Sequence, residues 1–115
     1  MINAEAPNLS FINLSGEYDM ARISELEAAL AQAHEADFAF IDLTDVPYID
    51  SSALSSLIRL KNRMRGGGGA IRLIAPQRNI RRLLEITGID HVVEVRENLK
   101  EALGELGYSH ELANL

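Results

Sequence analysis

The fold of this protein is decided by residues 38–54, which read FAFIDLTDVPYIDSSAL. Residues 38–43 form a mostly continuous apolar run, which is typical of a central parallel strand covered on both faces. Pro47 stops that strand within a connection of residues 44–50. A helix then begins at Ser51 or Ser52, because serine and aspartate side chains accept hydrogen bonds from the free amides of a first helical turn.

The rest of the chain repeats this alternation of strand and helix. The helix at residue 51 carries an inward stripe at helical spacing, formed by Leu54, Leu57, Ile58 and Met64. The order β-α-β-α-β-α-β-α predicts an α/β fold with a mostly parallel sheet and right-handed crossovers. The predicted strands cover residues 9–14, 38–43, 70–75 and 91–95, and the predicted helices about 20–35, 51–65, 80–87 and 99–106.

Length and composition indicate one small globular domain. The 115 residues suit a single domain, 1–115, with a core over about 9–106, an edge segment before residue 9 and a short tail over 107–115. The absence of cysteine excludes a disulfide scaffold, a thiolate metal site and a cysteine nucleophile. No apolar run approaches the ~20 residues that cross a bilayer, and the N-terminus lacks the features of a secretory signal. We therefore expect a cytoplasmic protein without membrane insertion.

The charge of −6 is unevenly distributed along the chain. Residues 1–50 carry ten acidic side chains and one basic one, whereas residues 59–82 carry eight basic side chains and no acidic one. This basic block predicts either the solvated faces of two neighbouring helices or a surface for an acidic partner. The overall acidity argues against direct nucleic-acid binding, which requires several phosphate contacts and a positive field.

The glycine run at residues 66–69 does not predict a nucleotide site. A phosphate-binding glycine loop follows a strand and opens a helix, whereas these glycines follow a helix and precede a strand. No Gly-x-Ser-x-Gly elbow surrounds a serine, and no histidine is placed to activate Ser51 or Ser52. We therefore expect neither a cofactor nor an enzymatic activity.

The sequence predicts no metal site either. The three histidines share no ligand spacing, and the aspartates near the decisive stretch lack the glycine and closing glutamate of a calcium loop. These residues are His34, His91 and His110, and Asp42, Asp45 and Asp50.

The residues at the start of the predicted helix suggest a function for a serine hydroxyl group. One interpretation of Asp50-Ser51-Ser52 is a helix cap alone. The sharper interpretation is a regulatory phosphorylation site, since a helix N-terminus presents free N–H groups and a partial positive charge. Phosphate would add about −1.5 to −2 charges beside Asp50, and beside Asp19 if the strands are neighbours, so a partner could be released with little internal movement.

Four segments of the sequence belong together: Gly16-Glu-Tyr-Asp19, residues 41–54, Gly69-Ala-Ile-Arg-Leu73 and residues 84–90. In this order they resemble the STAS domain of bacterial anti-sigma factor antagonists. The resemblance covers about residues 9–106. It implies a single STAS-like domain, with a mixed, mostly parallel sheet packed against about four helices, and a protein-binding switch rather than an enzyme.

The resemblance also implies which residues act. An anti-sigma factor that is also a serine kinase would phosphorylate Ser51, with Ser52 as the fallback, and a phosphatase would remove the phosphate. Asp19 and Asp50 would border the docking surface. Ala53 stands where the family commonly has glycine, and its small side chain would still allow close approach by a partner.

Other branches of the family leave a second hypothesis open. Some of these domains serve stress-signalling scaffolds or bind transporter ATPases. The same surface would then bind a partner without phosphorylation of Ser51.

Overall fold

The computed structural model describes residues 7–33 and 35–104, and it contains four strands and four α-helices in strict alternation. One-turn 3₁₀ helices at Met20–Arg22, Ala31–Ala33 and Ile89–His91 flank them. The predicted order of elements is confirmed. The elements are β1 (Leu9–Ser15), α1 (Ile23–Leu30), β2 (Phe38–Asp45), α2 (Ser51–Gly66), β3 (Ala70–Ile74), α3 (Arg78–Ile86), β4 (Glu94–Arg96) and α4 (Leu99–Gly104).

The four strands form one parallel sheet in the order β1-β2-β3-β4. Ile41 of β2 pairs with Ile12 of β1 on one side and with Leu73 of β3 on the other. Because all described strands run in the same direction, the loops that follow β1, β2 and β3 meet at one edge of the sheet. The predicted α/β class and the mostly parallel sheet are confirmed.

Each face of the sheet packs against helices. The larger core joins one face to α1, α2 and α3, and it includes Leu30, Ile41, Leu57 and Leu84. A smaller core on the opposite face brings Phe40 and Ile74 against Ala102 and Leu103 of α4. The apolar run of β2 is covered on both faces, as its sequence predicts.

The fourth strand begins later than the sequence predicts. The run His91-Val-Val-Glu-Val95 has the composition of a strand, but β4 covers only Glu94–Arg96. Gly88 adopts a left-handed conformation with φ +79°, and the chain then makes one helical turn in which the amide of His91 donates to the carbonyl of Gly88 at 3.1 Å. That turn uses His91 and leaves Val92 exposed, so the prediction of a strand from residue 91 was wrong.

Two ends of the chain lie outside the described residues. They are residues 1–6, where the edge segment was predicted, and residues 105–115, which hold the predicted tail. Within residues 7–33 and 35–104, no helix is both long and apolar enough to span a bilayer.

The glycine run is a helix terminator with specific geometric requirements. The amides of Gly67 and Gly69 both donate to the carbonyl of Met64, at 3.1 and 2.7 Å, and Gly68 takes φ +86°. This is the usual way to satisfy the last carbonyls of a helix. A phosphate-binding geometry is absent from this loop, because these amides point back to α2.

We expect Gly69→Ala to destabilise the protein by about 1–2 kcal/mol, because overpacking forces the surrounding backbone to move. A Cβ at this position would lie 2.8 Å from the carbonyl oxygen of Ala36 and 3.1 Å from that of Asp37. Urea unfolding followed by circular dichroism measures the change. Gly66→Ala is the matched control: it has open space around it within the helix, and it should be neutral or stabilising by up to about 1 kcal/mol. Equal destabilisation by both substitutions would contradict the steric explanation.

Candidate functional site

The candidate site lies where the loop after β1 meets the loop after β2. Tyr18 and Ile49 form an isolated parallel bridge between the two loops. The amide of Tyr18 donates to the carbonyl of Tyr48, and the amide of Asp50 donates to the carbonyl of Tyr18, both at 3.0 Å. The backbone therefore ties the loop that carries Asp19 to the loop that carries Asp50, and the structure brings the two predicted acidic residues to the same edge of the sheet.

Asp50 is the N-cap of α2. Its Oδ1 accepts a hydrogen bond from the amide of Ala53 at 3.0 Å and another from the hydroxyl of Ser52 at 2.6 Å. The Ser52 hydroxyl and then the Ala53 amide lower the pKa of the Asp50 carboxyl below its ordinary value, because both stabilise the ionised form. The head of the helix consequently carries a fixed negative charge at neutral pH.

The two serines that follow Asp50 differ in environment. Ser51 is the first residue of α2 and is exposed, and within the described part of the chain its hydroxyl has no hydrogen-bond partner. Ser52 is half-buried and donates its hydroxyl proton to Asp50. The hydroxyl of Ser51 is therefore accessible without any change to the cap, whereas the hydroxyl of Ser52 takes part in a bond that orders the helix start.

Ala53 is buried, with an exposed fraction of 0%. The prediction that it lies on the partner-binding surface was therefore wrong. Its methyl group belongs to the larger core, and its amide is bound to Asp50. Ala53 thus fixes the geometry of the helix start from beneath and offers no surface to a partner.

Asp19 is the N-cap of the 3₁₀ turn Met20–Arg22, in the loop after β1. Its Oδ1 accepts from the amide of Ala21 at 2.9 Å at the start of the 3₁₀ turn. Arg22 holds the same loop, since its guanidinium lies 4.3 Å from the centre of the Tyr18 ring and donates to the carbonyl of Glu17 at 2.9 Å. Gly16 leaves room for that guanidinium, because a Cβ there would lie 2.6 Å from Nη1. No pattern in the sequence indicates this role of Arg22.

Two exposed apolar side chains flank these acidic residues. Met20 follows Asp19 and is 75% exposed, and Tyr48 precedes Asp50 by two residues and is 50% exposed. Aromatic residues and methionine are enriched at protein interfaces. We call the set Asp19, Met20, Tyr48, Asp50 and Ser51 the docking surface. Met20 and Tyr48 could not be identified from the sequence, because loop residues have no periodicity that marks them as exposed or buried.

Gln77 supports the docking surface from the neighbouring loop after β3. Its Nε2 donates to the carbonyl of Leu43 at 2.9 Å and to that of Val46 at 3.2 Å, and it also reaches the carbonyl of Thr44. Asn79 adds a bond from its Nδ2 to the carbonyl of Pro47 at 3.1 Å. The two N–H groups of this side chain are therefore shared among three carbonyl oxygens, at the end of β2 and at the start of the connection that leads to Ser51.

The side chains weighed above as metal ligands do not form a cluster within residues 7–33 and 35–104. Among the described residues, no group of three or more histidine, aspartate or glutamate side chains could hold a metal ion. Asp42 instead accepts from the amide and the hydroxyl of Thr44, at 2.8 and 2.5 Å. His91 is exposed, and the other two histidines lie outside the described residues.

Comparison with known proteins establishes the family. The sequence model of the STAS domain matches residues 2–102. The anti-sigma-B factor antagonist of Listeria monocytogenes is 30% identical over 87 residues, which cover 74% of this chain and 76% of that protein. A Thermotoga maritima protein described as a candidate anti-sigma factor antagonist is 30% identical over 67 residues, which cover 58% of this chain and 59% of that protein. The chain therefore belongs to the STAS domain family, and the relatives that it resembles carry the name of anti-sigma factor antagonist.

Solved structures show the same fold. A crystal structure of a candidate anti-sigma factor antagonist from Thermotoga maritima superposes with a TM-score of 0.77 at 20% identity, over 91% of this chain and 90% of that one. The Bacillus protein SpoIIAA in its phosphorylated form gives 0.63 at 16% identity, over 92% and 97% of the two chains. A sulfate transporter family protein from Wolinella succinogenes gives 0.72 at 15% identity, over 100% and 93%. Because proteins of different roles share this fold, the fold alone does not assign the role of this chain.

Proposed function

We propose that this chain is an anti-sigma factor antagonist that binds an anti-sigma factor with serine kinase activity. Phosphorylation of Ser51 would release that partner, and a phosphatase would restore binding. The observation that carries the proposal is the exposed Ser51 hydroxyl at the start of α2, beside the ionised cap Asp50 and next to the bridged loop that carries Asp19.

The docking surface supports binding in the unphosphorylated state. Met20 and Tyr48 supply apolar area that a partner would cover, which stabilises a complex by about 25 cal/mol per Å² of apolar surface removed from water. Asp19 and Asp50 supply acceptors for basic or amide groups of the partner. The backbone bridge between Tyr18 and Ile49 holds both halves of the surface in fixed relative positions, so little ordering is needed on binding.

The same geometry supports release by phosphorylation. A phosphate on Ser51 would gain from the partial positive charge of the helix N-terminus, so the modified chain would remain folded. The added charge would lie next to the Asp50 carboxylate in the centre of the docking surface. A partner that matches the unmodified surface would then meet a like charge or lose close contact, and affinity would fall without any change in the fold.

The phosphoacceptor can be tested directly. We expect the cognate serine kinase with ATP to add one phosphate, which mass spectrometry of peptides should locate on Ser51. Ser51→Ala should abolish the label, while Ser52→Ala should keep it, since the Ser52 hydroxyl is bound to Asp50. Label on Ser52, or undiminished labelling of Ser51→Ala, would overturn the assignment of Ser51.

A second function uses the same surface without phosphorylation. In that case the chain would be a scaffold, or a subunit that binds a transporter ATPase or a stress-signalling complex. Association would then be insensitive to charge at Ser51 but would fail when the exposed face of α2 is altered. Measuring the affinity of the same partner for both kinds of variant distinguishes the two functions.

A further inference from the structure

The helix α3 carries its charges in the reverse of the order that a helix prefers. Its sequence is RNIRRLLEI, with arginine at the first, fourth and fifth positions and its one carboxylate, Glu85, next to the end. The helix dipole favours acidic residues in the first turn and basic residues in the last. No acidic residue stands in the first turn, and the cap residue Gln77 forms no side-chain cap bond. The preferences of the helix itself therefore do not explain these arginines.

One of the three arginines has a partner within the protein. Arg81 is half-buried and pairs with Glu97. Arg78 and Arg82 are exposed, and among the described residues neither of them forms a salt bridge. Because they are four residues apart on one helix, their side chains lie on the same side of α3. These two cations are therefore available to another molecule.

The start of α3 adjoins the docking surface. The loop after β3 ends at the same edge of the sheet as the two loops that carry that surface. The residues on both sides of Arg78 hold the connection after β2: Gln77 donates to the carbonyl of Val46 at 3.2 Å, and Asn79 donates to that of Pro47 at 3.1 Å. Arg78 therefore lies beside the connection that leads to the docking surface.

Charges of opposite sign at this edge remain separate from each other. The carboxylates of Asp19 and Asp50 accept bonds from backbone amides at the helix starts that they cap. Within residues 7–33 and 35–104, neither carboxylate forms a salt bridge with Arg78 or Arg82. The arginines therefore do not serve to neutralise the acidic residues of the docking surface, and the edge presents both an acidic and a basic part.

We infer that Arg78 and Arg82 extend the docking surface and bind carboxylate groups of the anti-sigma factor. This inference rests on the function proposed above and adds the chemistry of the partner. Arginine forms strong, often bidentate hydrogen bonds with carboxylates. Complementary charges also speed the encounter of two proteins and fix their relative orientation. The partner thus presents acidic side chains to α3 and basic or amide groups to the two aspartates of the docking surface.

Charge reversal tests the two arginines. Arg78→Glu and Arg82→Glu should each lower the association rate constant with the cognate anti-sigma factor at least about tenfold at low salt. The loss should shrink as salt rises, because exposed charges are screened. Stopped-flow mixing measures the rate. Lys100→Glu is the matched control: it makes the same change of charge at an exposed cation in the first turn of α4, whose core lies on the opposite face of the sheet. Equal slowing by all three substitutions would show a general charge effect and would contradict the inference.

The stability of the free protein separates binding from folding. Arg78→Glu should raise the midpoint of urea unfolding, because a carboxylate at the first position of a helix is favoured by the dipole. Slower association in a variant that is more stable cannot result from damage to the fold. A lower midpoint together with slower association would contradict the inference, since it would assign the loss to the fold.

Cross-linking tests the chemistry of the partner. A carbodiimide joins an amine to a nearby carboxylate, so Arg78→Lys and Arg82→Lys should each give a cross-link to an aspartate or glutamate of the anti-sigma factor. Mass spectrometry of peptides locates the link. The amine of Lys100 serves as the internal control and should give none. Absence of a cross-link from both variants would overturn the assignment of carboxylates to this part of the partner.

The same binding measurement on Ser51→Asp distinguishes this inference from the proposed function. If Ser51→Asp weakens binding while both reversals on α3 leave association unchanged, the inference fails and the phosphorylation switch stands. If the reversals slow association while Ser51→Asp has no effect, the switch fails and the basic part of the docking surface stands.

Discussion

Ser51→Asp is expected to weaken binding of the anti-sigma factor at least about tenfold, because a charge in the centre of an interface disfavours a partner that fits the neutral surface. Aspartate carries less charge than phosphate, which adds about −1.5 to −2, so the substitution gives a lower limit for the effect of phosphorylation. Binding is measured by calorimetry with the purified partner. The difference from the unsubstituted protein should shrink as salt increases, since exposed charges are screened.

Ser51→Asn is the matched control for this result. Asparagine has the shape of aspartate without its charge, and it should retain most of the affinity. The aspartate variant should fold normally, because a carboxylate in the first turn of α2 is favoured by the helix dipole. Equal losses in both variants would assign the effect to bulk rather than to charge. Unchanged binding in both variants would instead favour the scaffold or transporter function.

The main features of this fold follow from local sequence patterns. The apolar run of β2 and the helical stripe of α2 are both short-range signals, and together they require a strand, a connection and a helix in that order. Parallel strands place their carboxyl ends at one edge of a sheet. The position of Asp19 beside the loop of Asp50 could therefore be predicted from the sequence. The family resemblance then pointed to Ser51, the first residue of α2.

The features that the sequence did not reveal depend on contacts between distant segments. Ser56 reads as a polar position on α2, yet it is fully buried and donates to Glu27 of α1 at 2.9 Å, while Arg59 binds the same carboxylate. The exposure of Tyr48 is likewise set by how its loop lies on the sheet. No periodicity within a segment encodes such relations, because the partner lies on another element.

Gln77→Glu is expected to destabilise the protein by about 3 kcal/mol at neutral pH, because it replaces a donor by a negative charge beside three carbonyl oxygens. The substitution changes almost no volume, so packing is preserved. Urea unfolding at several pH values measures the effect. The connection that carries Tyr48, Asp50 and Ser51 should shift at the same time, and partner binding should weaken with it.

The pH dependence gives this prediction a distinctive sign. An introduced carboxyl group facing carbonyl oxygens would have its pKa raised in the folded state above the ordinary glutamate value of about 4.3, because only the protonated form can donate a hydrogen bond. Stability should therefore be closest to that of the unsubstituted protein below about pH 4 and should be lost as pH rises through the folded-state pKa.

Gln77→Met, which also removes the donor but adds no charge, should show a smaller loss of stability and no such dependence on pH. Asn79→Ala removes only one exposed bond to Pro47 and should cost less than about 1 kcal/mol. If Gln77→Glu and Gln77→Met lost the same stability at every pH, the predicted penalty of a carboxylate facing these carbonyl oxygens would be contradicted. If neither substitution lost stability, the hydrogen bonds from Nε2 would not be what holds this loop.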